Sequence, residues 1–172
     1  HECSSAASDV YKRQPYIPNE RFSKFNAKKT NLDELLFKSD IVSVHIPLTK
    51  ETQNSIDKNF YSKMKKGSLF ITTSRGSIHN EDDLETFLKN GHLSGAGLDV
   101  WEKEPPNSDH KLLKMQNVVA TPHMAGVTID SRKKMSEFVA NQLLNILSGG
   151  VPERPVNKEI LSSFKSKLSK II

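Results

Sequence analysis

The sequence predicts an α/β protein built on a parallel sheet with helices on both faces. Three observations carry this. Short β-branched runs alternate with segments of helical character, the pattern of repeated strand-helix-strand units. The first run, Ile41-Val42-Ser43-Val44-His45-Ile46, stops at Pro47 as a buried parallel strand should. After Pro122 the pattern changes to one long amphipathic helix.

The elements follow in order. Residues 58–64 suit a short helix that Lys66-Gly67 closes. Leu69-Phe70-Ile71-Thr72-Thr73 is a second strand, broken by Ser74-Arg75-Gly76. Asn80 caps a helix that runs through Lys89, with Asp83 three residues in and Asn90-Gly91 as its stop. A small-residue strand, Ser94-Gly95-Ala96-Gly97-Leu98, is followed by a short one, Val118-Val119-Ala120. Met135, Phe138, Val139, Leu143, Ile146 and Leu147 then recur at three- and four-residue spacing, until Gly149-Gly150 ends the helix. Residues 158–172 form a basic, weakly amphipathic tail. Residues 1–14 have no helical or strand period and join abruptly to Pro15-Tyr16-Ile17-Pro18. They are either a loose terminus or foreign sequence, and the second is favoured for a reason given below.

Composition narrows the class. With 35% hydrophobic and 26% charged residues in 172, the chain has the make-up of a soluble globular domain with a real core. No apolar run approaches the roughly 18 residues of a membrane helix, and His1-Glu2-Cys3-Ser4 lacks the apolar stretch of a signal peptide. Cys3 is the single cysteine, so an internal disulfide framework and a cysteine-based metal cluster are excluded. A cytoplasmic address and no metal are therefore expected. The net charge of +5 comes from short scattered groups such as Lys63-Met64-Lys65-Lys66 and Arg132-Lys133-Lys134, without interleaved aromatics. That is a solvated surface rather than a nucleic-acid site.

Parallel sheets bind ligands at the carboxyl ends of their strands. The residues just past each predicted strand are His45 to Leu48, Ser74-Arg75-Gly76, Asp99 and Glu104, and His123. One cation, two carboxylates and one imidazole at the strand ends of one sheet suggest the reduction of a 2-keto acid. A guanidinium grips the substrate carboxylate in planar, bidentate fashion. The carbonyl oxygen gains negative charge as hydride arrives, so a proton donor must stand within hydrogen-bond reach. His123 can serve if a carboxylate accepts its other N–H, fixing the tautomer and favouring the imidazolium. Glu104, followed by Pro105-Pro106, is placed to be that carboxylate. The hydride must come from a cofactor, since no side chain carries one. Each residue alone has a plainer explanation, as a surface ion pair, a structural histidine or a turn cap; the flanking motifs change that balance.

Those motifs are Asp40-Ile41-Val42-Ser43-Val44-His45-Ile46-Pro47-Leu48-Thr49, then Met64-Lys65-Lys66-Gly67-Ser68 through Ser74-Arg75-Gly76. Gly97-Leu98-Asp99-Val100-Trp101-Glu102-Lys103-Glu104-Pro105 and Thr121-Pro122-His123-Met124-Ala125-Gly126 complete them. By their order and spacing, residues 15–157 resemble the D-isomer-specific 2-hydroxyacid dehydrogenase family, phosphoglycerate dehydrogenases among them. The resemblance implies that Arg75 binds the substrate, His123 is the acid/base and Glu104 is its partner. It implies that Asp99 helps hold the nicotinamide end of NAD, and that Ile46, Thr73, Ser74 and Gly126 line the cofactor, with Arg75 and His123 bordering it. Many members have Thr at Ile46, so only a backbone contact carries over there. Related formate dehydrogenases carry Gln at the site of Glu104, so glutamate favours hydroxyacid chemistry.

The same resemblance implies a partial Rossmann-type sheet. Residues 15–126 would be the C-terminal part of a nucleotide-binding domain. Residues 127–157 would be a linking helix and return segment leading toward an absent substrate domain, with 158–172 as a basic tail. No G-x-G-x-x-G occurs, and Gln14 stands where the family's ribose-binding Asp precedes Pro-Tyr. That coincidence favours 1–14 as a non-family leader and leaves NAD against NADP open. The expected function is an oxidoreductase interconverting a small 2-keto acid and a D-2-hydroxy acid, homodimeric in full-length form, with this piece inactive by itself. A dinucleotide-sensing co-repressor on the same fold is the alternative.

Overall fold

The computed structural model describes residues 10–12, 20 and 27–168. The chain divides into two compact units, His1–Met124 and Ala125–Ile172. The expected leader, residues 1–14, lies outside the described residues except for β1 (Val10–Lys12), where a strand forms although the sequence showed no period for one. It pairs in parallel with β2 (Ala27–Lys29) in a two-stranded sheet.

The first unit is otherwise a four-stranded parallel sheet of β3 (Ile41–Val44), β4 (Leu69–Thr72), β5 (Gly95–Leu98) and β6 (Val118–Ala120), adjacent in chain order. The register aligns Val42 with Phe70, Ala96 and Val118, and Val44 with Thr72, Leu98 and Ala120. Side chains alternate across a sheet, so these rows share one face. Val42, Val44, Phe70, Ala96 and Leu98 of these rows, with Val118 beside them, pack into one apolar cluster with α1 (Leu32–Lys38), α2 (Lys58–Lys63) and α3 (Glu81–Lys89), through Leu36, Tyr61, Leu84 and Leu88. On the opposite face Ile41, Leu69 and Val119 are exposed. The α/β class and the parallel sheet agree with the sequence; the three described helices of this unit share a single face.

Local chemistry sets each helix. Asn31, Asp57 and Asn80 accept hydrogen bonds from the first free backbone N–H groups of α1, α2 and α3, offsetting donors that lack a helical partner. α1 is not among the helices expected from the sequence, although Asn31, Asp33 and Glu34 are start signals for it. α3 begins at the expected cap. Asp83 in its first turn also accepts from the Lys58 backbone N–H at 2.8 Å, tying α3 to α2. In the second unit, α4 (Ile129–Leu147) starts at a reciprocal Thr128–Ser131 capping box and ends where Gly149 takes a φ of 82°, a left-handed stop that glycine adopts freely. None of its residues is buried: Met135, Val139, Leu143 and Leu147 of the expected stripe are exposed. The last described helix, α5 (Leu161–Leu168), falls in the basic tail. Among the described residues no helix is long and apolar enough to cross a membrane.

Two positions in the first unit are under particular constraint. His79 is fully buried, 6.0 Å from the Phe70 ring, and neither ring nitrogen has a hydrogen-bond partner. Burial penalises the imidazolium and pushes its pKa from 6.5 down to about 4. Gly76 lies against the backbone of Trp101, so close that an added Cβ would stand 1.8 Å from the Trp101 carbonyl oxygen.

Each gives a testable outcome. Between about pH 4 and 6.5 the unfolded chain binds a proton at residue 79 that the folded chain refuses, so stability falls as pH drops through that window. The full loss is on the order of 3 kcal/mol. His79→Leu should flatten this limb in urea titrations run at a series of pH values; an unchanged limb would assign the acid sensitivity elsewhere. Gly76→Ala should cost about 1–3 kcal/mol or more, because backbone rather than a flexible side chain must move. Denaturant midpoints equal to the unsubstituted chain would show that residues 101 and 102 yield freely.

Candidate active site

Parallel pairing brings the carboxyl ends of β3 to β6 to one edge, and the segments that leave this edge carry the expected site residues. After β3, Ile46 is half-buried against the core, while Pro47 accepts a 2.7 Å hydrogen bond from the Thr52 hydroxyl. After β4, Thr73 approaches His45 Nδ1 at 3.4 Å, and the buried Ser74 hydroxyl meets that of Thr72 at 3.1 Å. Arg75 is exposed and extended, with Nη1 donating to the Ser74 carbonyl at 2.6 Å, immediately before the short 3-10 turn Gly76–Ile78.

Asp99, directly after β5, is 4% exposed. A buried carboxylate is tolerated where donors replace its water. Its Oδ1 accepts from the Thr121 hydroxyl at 2.5 Å and from the Met124 backbone N–H at 2.8 Å. These two donors bracket Pro122 and His123. Between them His123 takes a φ of 52°, a left-handed conformation that costs a non-glycine residue on the order of 1 kcal/mol. The loop from Trp101 onward is anchored on the first turn of α3: Glu102 N–H donates to Glu81 Oε1 at 2.8 Å, and His110 Nε2 lies 3.0 Å from Glu81 Oε2.

That loop delivers Glu104. Its Oε2 is 2.8 Å from His123 Nδ1, and its Oε1 accepts from the Trp101 backbone N–H at 3.1 Å. The His123 hydrogen bond above all holds the Glu104 carboxyl below its ordinary range; burial opposes it, and the Trp101 N–H and the charge of Arg75 add lesser pulls downward. An ionised carboxylate only accepts, so the proton of the shared bond sits on Nδ1 and the second nitrogen, Nε2, is left for other chemistry. The pair is about two-fifths exposed, so solvent reaches it and the bond orients more than it stabilises.

The structure therefore brings Glu104 and His123 into contact, with Arg75 near enough to act on Glu104 and Asp99 braced beneath the turn of His123. Gly126 belongs to the second unit, where its carbonyl accepts from the Ser131 hydroxyl at 2.7 Å. The sequence assigns no role to Thr121, Trp101 or His45, which the structure places at this edge. Thr121 carried a signal that could have found it, a hydroxyl residue directly past a strand; nothing local marked the partners of Trp101. Among the described residues no cluster of His, Cys, Asp and Glu could hold a metal ion.

Comparisons with known proteins bear on this geometry. The model for "D-isomer specific 2-hydroxyacid dehydrogenase, NAD binding domain" matches residues 2–125, starting ahead of the Pro15 at which the resemblance in the sequence begins. A glyoxylate reductase from Thermofilum pendens is 46% identical over 145 residues, covering 84% of this chain and 41% of that protein. A D-3-phosphoglycerate dehydrogenase from Archaeoglobus fulgidus is 37% identical over 155 residues, covering 90% and 29% respectively. Among solved structures, a D-isomer specific 2-hydroxyacid dehydrogenase from Lactobacillus delbrueckii ssp. bulgaricus, in an NAD-complexed form, superposes with a TM-score of 0.79 at 32% identity, over 87% of this chain and 49% of that one. The chain thus spans less than half the length of these relatives. Its parallel sheet and its family match agree: the chain belongs to the D-isomer specific 2-hydroxyacid dehydrogenase NAD-binding domain family.

Proposed function

We propose that this chain supplies the hydride-transfer half of an NAD-dependent oxidoreductase that interconverts a small 2-keto acid and a D-2-hydroxy acid. The observation that carries this reading is the 2.8 Å contact of His123 Nδ1 with Glu104 at the carboxyl edge of a parallel sheet. A histidine so held is a proton donor of fixed tautomer and direction. Activity is assigned to the protein in which this segment is joined to a phosphate-binding loop and a substrate domain, as the length of its relatives suggests.

The donor set fits the nicotinamide end of the cofactor. The hydroxyls of Thr73 and Ser74 and the carboxylate of Asp99 end neighbouring strands, where they offer a polar rim for a carboxamide and its ribose. Ile46 adds a backbone contact. No G-x-G-x-x-G stands anywhere in the 172 residues, so the fit extends to that end alone. When bound, NAD(H) supplies the hydride.

The residues of this chain do the rest. Arg75 leaves its contact with the Ser74 carbonyl to grip the substrate carboxylate, a stronger, charge-assisted and bidentate partner. The carbonyl carbon is thereby turned toward the cofactor. His123 gives the Nε2 proton to the carbonyl oxygen as negative charge gathers there, and Glu104 steadies the imidazolium before transfer. In the opposite direction His123 takes the hydroxyl proton. The same reading takes the protein as cytoplasmic and homodimeric in its longer form, with the exposed apolar stripe of α4 docking on the substrate domain. That stripe, Met135, Val139, Leu143 and Leu147, is too apolar to favour water.

Two substitutions test the chemistry in the protein at the length of its relatives. His123→Ala should lower turnover on the order of 10²-fold or more while cofactor affinity changes little. Unchanged turnover would remove His123 from proton transfer. Glu104→Gln removes the charged acceptor that holds the His123 Nδ1–H, so turnover should fall on the order of tenfold while cofactor affinity changes little. Turnover equal to that of the unsubstituted protein would show that Glu104 does not hold the histidine for transfer.

A further inference from the structure

Trp101 is the single tryptophan of the chain and is 3% exposed. Its contacts join three segments that sequence keeps apart. Its backbone N–H donates to Glu104 Oε1 at 3.1 Å. Its indole Nε1–H donates to the Thr121 carbonyl, beyond the end of β6, at 3.2 Å. Its own carbonyl presses on Gly76, the neighbour of Arg75. The edge of His110 closes over the indole with ring centres 5.5 Å apart, so the indole bond is made out of water, where it is stronger.

These bonds form a circuit. From the Trp101 backbone it passes through Glu104 to His123, then along the chain to Thr121, and back through the indole to Trp101. We propose that Trp101 is a positioning residue whose indole N–H fixes the separation between the loop carrying Glu104 and the turn carrying His123. The need for such a brace is physical. A glutamate has three rotatable side-chain bonds, and a carboxylate exposed as Glu104 is would exchange its imidazole for water unless its backbone were held at the right distance. His123 adds a second need. Its left-handed backbone persists only while the surrounding turn is pinned, and Thr121 is one of the two pins. The sulfur isostere of the indole keeps its shape and leaves the Thr121 carbonyl without its donor; phenylalanine does the same with a smaller ring.

The functional meaning of this tether rests on the role given to His123 above; the tether itself is read without any turnover. Because the chain has one tryptophan, biosynthetic replacement by benzothienylalanine exchanges the indole N–H for sulfur at residue 101 and nowhere else. The readout is the downfield proton resonance of the His123 Nδ1–H bonded to a carboxylate, assigned by its loss in His123→Ala. In the sulfur isostere, and in Trp101→Phe, its exchange with solvent should be about tenfold faster, the effect of losing one hydrogen bond, with Tm lowered by only a few degrees in the isostere. Exchange at the unsubstituted rate in both variants overturns the proposal. So does equal acceleration of the backbone amides of β5 and β6, which would mark a general loosening. Absence of the resonance from the unsubstituted chain also overturns it, since there would be no bond to position. Turnover of His123→Ala is decided separately, so a failed tether and a failed proton donor are told apart.

Discussion

The hydrogen-bond ladder joining β3, β4, β5 and β6 in parallel is the constraint from which the site follows. Each strand must run the same way, so each connection must cross back over the sheet, and α2 and α3 do so between successive strands. Their apolar sides meet the rows Val42-Phe70-Ala96 and Val44-Thr72-Leu98. A slip of one residue in any strand would turn its buried set outward, so burial fixes the register. Once the register is fixed, the segments carrying Ile46, Thr73 to Arg75, Asp99 and Thr121 must all leave from one edge. The chemistry gathers there because the ladder leaves it no alternative.

At that edge the polar groups hold one another in a definite order. Asp99 is buried and is compensated by the Thr121 hydroxyl and the Met124 N–H, which pin the turn containing His123. Glu104 is more exposed and reaches His123 from a loop anchored on Glu81 of α3. The buried carboxylate therefore shapes the backbone, while the exposed one sets the tautomer and direction of the imidazole. Burial divides the labour between two side chains of the same chemistry. Trp101 spans the two arrangements, since one of its N–H groups serves the Glu104 loop and the other the Thr121 strand end.

Elsewhere the chain carries polar and apolar groups in unfavourable places. His79 sits neutral and unpartnered in the core beside Phe70, and the Tyr61 hydroxyl is likewise buried without a partner. Such groups reduce stability, and in His79 the cost rises as acid supplies a proton the site refuses. On the surface, Ile41, Leu69 and Val119 of the open sheet face and the stripe of α4 stand in water. Apolar surface of that extent is a common mark of contact with further protein, in keeping with relatives more than twice as long.

Much of this was legible in the residues themselves. Asn80 and Asp83 marked the start of α3 and Gly149 the end of α4, because caps and left-handed stops act within a few residues, whereas the strand expected to run to Pro47 already ends at Val44. The same locality let Arg75, Glu104 and His123 be read as strand-end chemistry. Their motifs were specific enough to identify the family before any geometry was known. β1 and β2, three residues each, gave too short a pattern to show a period. What the sequence by itself determined were the elements, their order and the chemical groups at their ends. Only the tertiary structure decided that Glu104 meets His123 through a left-handed turn, that the Trp101 indole reaches Thr121, that Gly76 must lack a side chain, and that His79 is dry. Each of these contacts joins residues roughly nine to twenty-five positions apart. It exists only after the ladder has set strands side by side, a distance that local propensity cannot sense.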